Sequence, residues 1–393
     1  MSYLNKEYGI KIRKQSLDER FHERTVHFVK EVLKQVIIAQ LSPYLYCKEF
    51  LSQFNHARIK DSTKFNIPSN LASNYKGSGG SGSVSEAGIC IQYEFDLKTG
   101  KFLDLTITES VRNDQTDASQ TSENVCENDL IIRDLGYFST SVLGKFKKQG
   151  AFFLSRLNST VLVYDEKGAE IDFKEIYNFM TKSGINNLEK QVFIGKDKVE
   201  MRLFIGLVPT ENYKEKLRRK QKEEKKRGCK MKDRTKFLLY FNLFVTNADA
   251  EKLPAEKIMP LYRFRWQIEL MFKNWKSVFS IHKFQKMQEH RYITMLYVRL
   301  ILVIINIQII NQVQATLSKQ MINDSILSYQ KTLQTMKNSF FEILSILRSD
   351  IEKAIKLMEN IYLILSENHW RERRKERENF VDNIELFICK EQK

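Results

Sequence analysis

Leu261 to Phe279 reads LYRFRWQIELMFKNWKSVF, and the fold and purpose of the chain turn on this stretch. An α-helix turns about 100° per residue. With Tyr262 as origin, Arg265, Glu269 and Lys276 fall at roughly 300°, 340° and 320°, so all four share one narrow stripe. Leu261, Phe264, Ile268, Met271, Phe272, Trp275 and Phe279 fall at roughly 180–280° on the same wheel. The spacing predicts one amphipathic helix that buries an apolar flank and offers an acid, a phenol and two cations beside it. Lys273, at about 20°, widens the cationic rim. An Arg265–Glu269 ion pair one turn apart is the ordinary explanation of such a stripe, and spacing alone does not displace it.

The chain has 393 residues, enough for two or three domains. Its formal charge of +16 is the unusual quantity, and such an excess calls for a polyanion, either nucleic acid or an acidic membrane surface. The apolar run from Met295 to Val313 is broken by Arg299, Asn306, Gln308 and Asn311. A spanning helix needs about 20 mostly apolar residues with few charges, so a buried core helix is predicted there, with no membrane partner. Nucleic acid is then the expected partner. Cys47, Cys90, Cys126, Cys229 and Cys389 lie far apart with no CxxC pair. That excludes a zinc-finger pattern and a disulfide framework and points to a reducing cytoplasm. A metal site would have to be built from carboxylates, which favours Mg²⁺ or Mn²⁺.

From the N-terminus, Ser16 and Glu19 form a capping box expected to open an amphipathic helix. Ser42-Pro43 is expected to open a second, running to about Phe54. RIKDSTKFNIP predicts a short strand ending at Asp61; the glycine-rich YKGSGGSG from Tyr75 lacks a P-loop ending and reads as a turn. Ile89–Phe95 and Lys101–Thr108 alternate about DLKTG and predict a β-hairpin. A polar connection, Asn113 to Asn128, leads to the apolar Leu130-Ile131-Ile132, a short strand closed by Asp134. Ser139 opens a helix to about Gln149, and Ala151–Leu157 returns as a strand. Residues 160–246 read as mainly β. Within them, Glu211 to Lys236 carries thirteen Lys or Arg against five Asp or Glu, a local +8. Its Arg218, Arg219, Lys220, Lys226 and Arg227 are candidates to face phosphates, against the plainer reading of a solvated helix. From Arg291 to about Trp370 the pattern is helical, with an apolar period through Phe340, Leu344, Leu347, Ile351 and Ile355 and a basic cluster beginning at Trp370.

Asp61 and Asp134 each close an apolar strand, where α/β sheets place their active sites. With Glu269 they could hold two divalent ions for phosphodiester chemistry. Each alone could equally be an Asx-turn or helix cap. Asp96, Asp104, Asp114 and Asp117 are rivals that spacing does not exclude, with Asp96 in a hairpin turn the most readily structural.

The pattern Y-x2-R-x3-E-x6-K at Tyr262, Arg265, Glu269 and Lys276 resembles the signature of the IS-four family of DDE transposases. KDSTKF with YKGSGG resembles the family's first-aspartate region, DLIIRDLGYFS its second, and FVTNAD its entry to the glutamate helix, all in order from about Ile59 to Asn311. The resemblance implies an α/β fold: an RNase H-like core, a mixed sheet flanked by helices, with a β-rich insertion and helical N- and C-terminal regions. On that division, 1–55 is the helical N-terminal region, 56–159 and 238–311 the core, 160–237 the insertion and 312–393 the helical C-terminal region. It implies that Asp61, Asp134 and Glu269 are catalytic and bind two Mg²⁺ ions, for which Mn²⁺ can substitute. Tyr262, Arg265, Lys273 and Lys276 would hold DNA. The implied partners are double-stranded transposon ends (terminal inverted repeats) and target DNA, engaged by a dimer in a bacterial cytoplasm. The implied reaction is cut-and-paste transposition through hairpin ends.

Two features depart from the family. Relatives stack a flipped base on a tryptophan of the insertion, whereas the tryptophans here are Trp266, Trp275 and Trp370, so Tyr240 or Phe241 would have to serve. Sixty residues precede Asp61, fewer than relatives devote to reading the terminal repeat. The N-terminal region is therefore expected to be shortened or its task taken by other parts. The competing readings are a catalytically silent DNA-binding remnant and an RNase H-like nuclease that does not join strands.

Overall fold

The computed structural model describes residues 5–6, 9–40, 50–78, 86–228, 230–319, 327–338 and 351–369. By their contacts they form two compact units, one of residues 1–50, 62–112 and 268–393, the other of 51–61 and 113–267. The architecture is a mixed α/β sheet flanked by helices.

At the start of the first unit lie α1 (Lys14–Asp18) and α2 (Glu23–Ile38). The expected capping box does not open the amphipathic helix: Ser16 is inside α1, and α2 begins behind His22. Val29 and Leu33 are the buried positions of α2. The helix proposed after Ser42-Pro43 falls largely outside the described residues. Strand β1 (Ala57–Asn66) passes from the second unit into the first. It does not end at Asp61 as the sequence suggested, because beyond the aspartate it continues beside the hairpin of β2 (Gly88–Asp96) and β3 (Phe102–Glu109). Asp96 caps that hairpin, accepting from the Lys98 amide and the Thr99 hydroxyl, and so is structural. The described flanks of the glycine-rich segment pair across an antiparallel bridge, Gly77 N–H to Glu86 O and Gly88 N–H to Tyr75 O; the turn read from 79–82 lies outside the described residues.

The second unit begins with a helix that the sequence reading missed. Asn113 caps α3 (Asp114–Gln120) by accepting from the Thr116 amide at 2.7 Å; the polar connection hid it because it has almost no apolar period. Next come β4 (Leu130–Arg133), α4 (Thr140–Lys148), β5 (Phe152–Arg156) and β6 (Val163–Tyr164). They are followed by α5 (Phe173–Ser183), β7 (Asn187–Ile194), β8 (Val199–Leu207), α6 (Thr210–Arg227), α7 (Asp233–Leu238) and β9 (Phe241–Thr246). The region read as mainly β therefore contains three helices. In this unit the strand order is β1-β4-β5-β9-β8-β7-β6, with β1, β4 and β5 parallel and the rest antiparallel. Apolar strand residues such as Ile131, Phe153, Leu203 and Val245 pack with Val142 and Phe146 of α4 and Ile176 and Met180 of α5 in one buried cluster.

The predicted single helix over Leu261–Phe279 is two helices, α8 (Ala255–Arg263) and α9 (Arg265–Ser277). Pro260 has no N–H to give to α8, and Phe264 closes a tighter turn onto Leu261 O at 3.1 Å. Phe264 keeps right-handed helical angles (φ −60, ψ −25) between the two helices. The first unit resumes within α9 and continues with α10 (Glu289–Lys319), α11 (Tyr329–Asn338) and α12 (Ile351–Asn368). By length and composition α10 could cross a membrane, but over half of it is buried inside the protein. It packs on α2, and its Leu296, Leu300 and Ile304 are buried. That is the core helix expected. On α12 the buried face is Leu357, Ile361 and Leu365, whereas Ile351 and Ile355 are exposed. Phe340, Leu344, Leu347 and the Trp370 cluster lie outside the described residues.

A buried ionic cluster in the second unit sets an acid limit on stability. Asp129 accepts from His56 Nδ1 (2.9 Å), Arg58 Nη1 (3.0 Å) and the Cys126 amide (3.0 Å). Burial alone would raise its pKa, but those donors together with the Arg58 charge hold it below the usual carboxylate value. A depressed carboxylate stabilises the fold above its unfolded pKa of about 3.9 and loses that contribution as pH falls through the lower folded value. The urea midpoint of the native protein should therefore drop as pH is lowered from about 5 to below 3.9, and Asp129→Asn should show a shallower drop. Equal slopes would remove Asp129 as a source of acid lability.

Candidate active site

The last parallel pair of β1 and β4 is Lys60 opposite Arg133. Asp61, within β1, and Asp134, just past β4, directly follow that pair, so the two carboxylates stand side by side where the parallel pairing ends. The turn after Asp134 is tight: a Cβ on Gly136 would come within 2.9 Å of Asp114 Oδ2, an approach that glycine permits. Asp114 thus packs under this turn, while Asp117 is buried in an ion pair with Lys60. Asp104 lies in the hairpin, opposite Glu94.

The two carboxylates share one cation. Arg265 places Nη1 3.4 Å from Asp61 Oδ2 and Nε 3.5 Å from Asp134 Oδ1. Asp61 and Arg265 are each only 14% exposed, so water screens this contact far less than a surface pair. Tyr262, buried on α8 against Phe244, directs its hydroxyl to Asp134 Oδ1 at 3.5 Å. Burial, and then the Asp134 charge, push the phenol's pKa well up, against the opposing pull of Arg265 and Arg156. Tyr262 therefore stays neutral and can donate. Arg265 also lies over the Tyr262 ring, 5.8 Å from its centre.

Among the described residues no three His, Cys, Asp or Glu side chains are gathered closely enough to hold a metal ion. Asp61 and Asp134 come together within the second unit through their shared contact with Arg265. Glu269 is one turn beyond Arg265 on α9, in the part of that helix belonging to the first unit. In the same unit Lys276 donates to Lys64 O at 3.2 Å and lies near the Phe65 ring, and burial lowers its pKa. Lys273 is exposed. A guanidinium lodged between two carboxylates shows that this pocket takes positive charge, and an all-oxygen donor set suits a hard divalent ion.

The sequence reading passed over Arg156, the last residue of β5 and the exposed cation on the strand next to Asp134's. A cation closing a third parallel strand was the available signal. Its field reaches both Tyr262 and Lys216. Lys216, on α6, anchors that basic helix to β9 by donating to Phe241 O and Asn242 Oδ1. Burial, and then Arg156, bring its pKa down to about 8. Of the basic candidates, Arg218 and Lys226 are exposed, while Arg219 and Lys220 pair with Glu215 and Glu223 on the same helix. The side chain of Arg227 is outside the described set. Phe241 is buried and Tyr240 is stacked 4.0 Å from Tyr213, with Tyr177 4.3 Å away, so neither ring stands open to a base as expected. Trp275 is buried among Tyr93, Phe102 and Phe272, whereas Trp266 is exposed beside Arg265.

The sequence model of the family described as "Transposase DDE domain" matches residues 53–307, a span containing Asp61, Asp134 and Glu269. The chain belongs to the DDE transposase family. The transposase is 30% identical to the transposase for insertion sequence element IS231B of Bacillus thuringiensis subsp. berliner, over 97% of this chain and 82% of the relative. It is 26% identical to that of IS231E from Bacillus thuringiensis subsp. finitimus over the same shares. To that of IS1151 from Clostridium perfringens it is 28% identical, over 77% of this chain and 67% of the relative. The protein is thus a transposase of an insertion sequence, acting on DNA with the nuclease and transesterase chemistry of its family. Domains of this family generally use divalent metal ions.

Proposed function

We propose that the transposase excises its element by cut-and-paste at an RNase H-like site formed by Asp61, Asp134 and Glu269. The observation carrying this reading is the pair of carboxylates just past the last β1–β4 pairing, both contacted by Arg265. Asp61, Asp134 and Glu269 would hold two Mg²⁺ ions, with Mn²⁺ able to substitute, whose chemistry is activation of the attacking oxygen and stabilisation of the leaving one. Tyr262 steadies Asp134 as a neutral donor. Arg265, released from the aspartates as other positive charge arrives, turns to the phosphates beside the scissile bond. Lys273, Lys276, Arg156 and the exposed face of α6 extend the phosphate-binding surface of a dimer that holds two ends. Water attacks the end phosphodiester and frees a 3′-hydroxyl. That hydroxyl attacks the opposite strand to close a hairpin, later reopened before joining to target DNA. The exposed Trp266 is the large aromatic offered to an unstacked base.

The test is to incubate the protein and Mg²⁺ with a duplex carrying the inverted repeat that flanks the reading frame. A hairpin end and a joined product are expected. Nicking without joining would leave a nuclease; tight binding without nicking would leave a silent remnant.

A further inference from the structure

Within the first unit, the turn that follows α9 is built in an unusual way. Ser280 takes a left-handed backbone, φ +50, which a non-glycine residue adopts only at some cost. Arg299, reaching from α10, holds the turn closed by donating to Ser280 O and to Lys283 O at 2.9 Å, with its guanidinium 3.8 Å from the centre of the Phe284 ring. The turn displays His282 and Lys283. Phe65 of β1 sits between His282, at 6.4 Å ring to ring, and the Lys276 ammonium, at 5.9 Å.

The charges that lower the His282 pKa are all positive: Lys283 from its own turn, Lys276 from α9 and Arg299 from α10. Lys64, on the part of β1 in this unit, is occupied by Ser110 O and Arg112 O, both at 2.8 Å. Neither ring nitrogen of His282 bonds a described residue, and Nδ1 is buried without a partner. The ring is therefore not a hydrogen-bonded strut. Three cations converging on an uncommitted imidazole, with no carboxylate among them, form half of a site whose other half is an anion.

We propose that the Ser280–Lys283 turn and Lys276 form a binding site for one backbone phosphate of DNA, where His282 takes up a proton as the phosphate arrives. In the free protein, burial and then Lys283, Lys276 and Arg299 hold the His282 pKa below its ordinary value. A phosphate reverses the sign of that field, so the proton binds more tightly in the complex than in the free protein. By linkage, DNA affinity then rises as pH falls through the region of about 6.5 and is independent of His282 well above it.

The experiment measures binding of a fluorescent 30-base-pair duplex at constant ionic strength in EDTA, so its outcome does not depend on the metal site or on cleavage. Wild-type affinity should rise about three- to tenfold between pH 7.5 and 5.5. His282→Gln should bind like the wild type at pH 8 and lose most of that rise. Lys283→Ala should reduce the salt slope by about 0.9 at every pH, the value of one phosphate contact. Calorimetry of the wild-type protein in two buffers of different ionisation heat should show proton uptake on binding near pH 6.5, a readout needing no variant. Absence of uptake, or a His282→Gln protein with the full wild-type pH rise, overturns the proposal. An unchanged salt slope in Lys283→Ala overturns the phosphate site.

Discussion

Asp134→Asn should leave the transposase able to bind an end duplex and unable to cut it. The substitution keeps the shape of the side chain at the end of β4 but removes the charge that Arg265 now neutralises at 3.5 Å. A neutral amide is a poor ligand for a hard divalent ion. Removing one electrostatic donor from an active site typically costs about 10²–10³ in rate, and loss of a metal-holding carboxylate should exceed that. Strand cleavage should therefore fall by more than about 10³-fold. Glu269→Gln should do the same from α9. Binding should hold or tighten slightly, because the cationic surface remains and Arg265 has one carboxylate fewer to hold it. A labelled end followed in parallel by gel shift and strand nicking separates the two effects. Nicking at the wild-type rate in either variant would remove that residue from the proposed metal site.

What the sequence made legible was set by the range of the interactions involved. The β-hairpin about DLKTG, the strand before Asp134 and the buried nature of α10 follow from local alternation or apolar runs, and the structure contains all three. Helix α3 was illegible because it is held by a cap and by burial of Asp117, neither of which produces an apolar period. The continuation of β1 past Asp61 was missed for a similar reason: the partner that extends it, the β2–β3 hairpin, is remote in sequence. In the candidate site, the spacing of Tyr262 and Arg265 set both side chains near one another, and the structure has Arg265 over the Tyr262 ring. Spacing offered Glu269 or DNA as partners of Arg265 and gave no hint of its ion pairs with Asp61 and Asp134, over a hundred residues away in sequence. A helical wheel holds no information about charges brought in by another element. Arg156 escaped notice for the same reason, since only the sheet places the end of β5 beside that of β4.

The largest loss of stability should come from one buried pair. Lys60 Nζ lies 2.7 Å from Asp117 Oδ2, and both side chains are 0% exposed. Lys60 immediately precedes Asp61, and Asp117 is on α3, so this contact fixes the helix against the strand that presents the proposed catalytic carboxylate. Thr121 accepts a further bond from Lys60 at 3.3 Å. Removing one partner of a buried pair leaves the other charge in a medium that cannot solvate it, which typically costs about 3–5 kcal/mol. Asp117→Asn should cost that much in urea unfolding. Lys60→Met should cost a similar amount, because a flexible apolar side chain of similar length fills the space but leaves the Asp117 charge buried without its cation. The double variant Lys60→Met, Asp117→Leu should recover most of the loss, because replacing both charges by apolar groups avoids their desolvation altogether. Its coupling energy is the deciding measurement. If Asp117→Asn costs under about 1 kcal/mol, or if the two substitutions simply add, the pair is not what holds α3 to β1. If the double variant regains stability yet cuts DNA poorly, the ion pair also sets the aim of Asp61, since burial would have been restored without the fixed strand geometry that the charges impose.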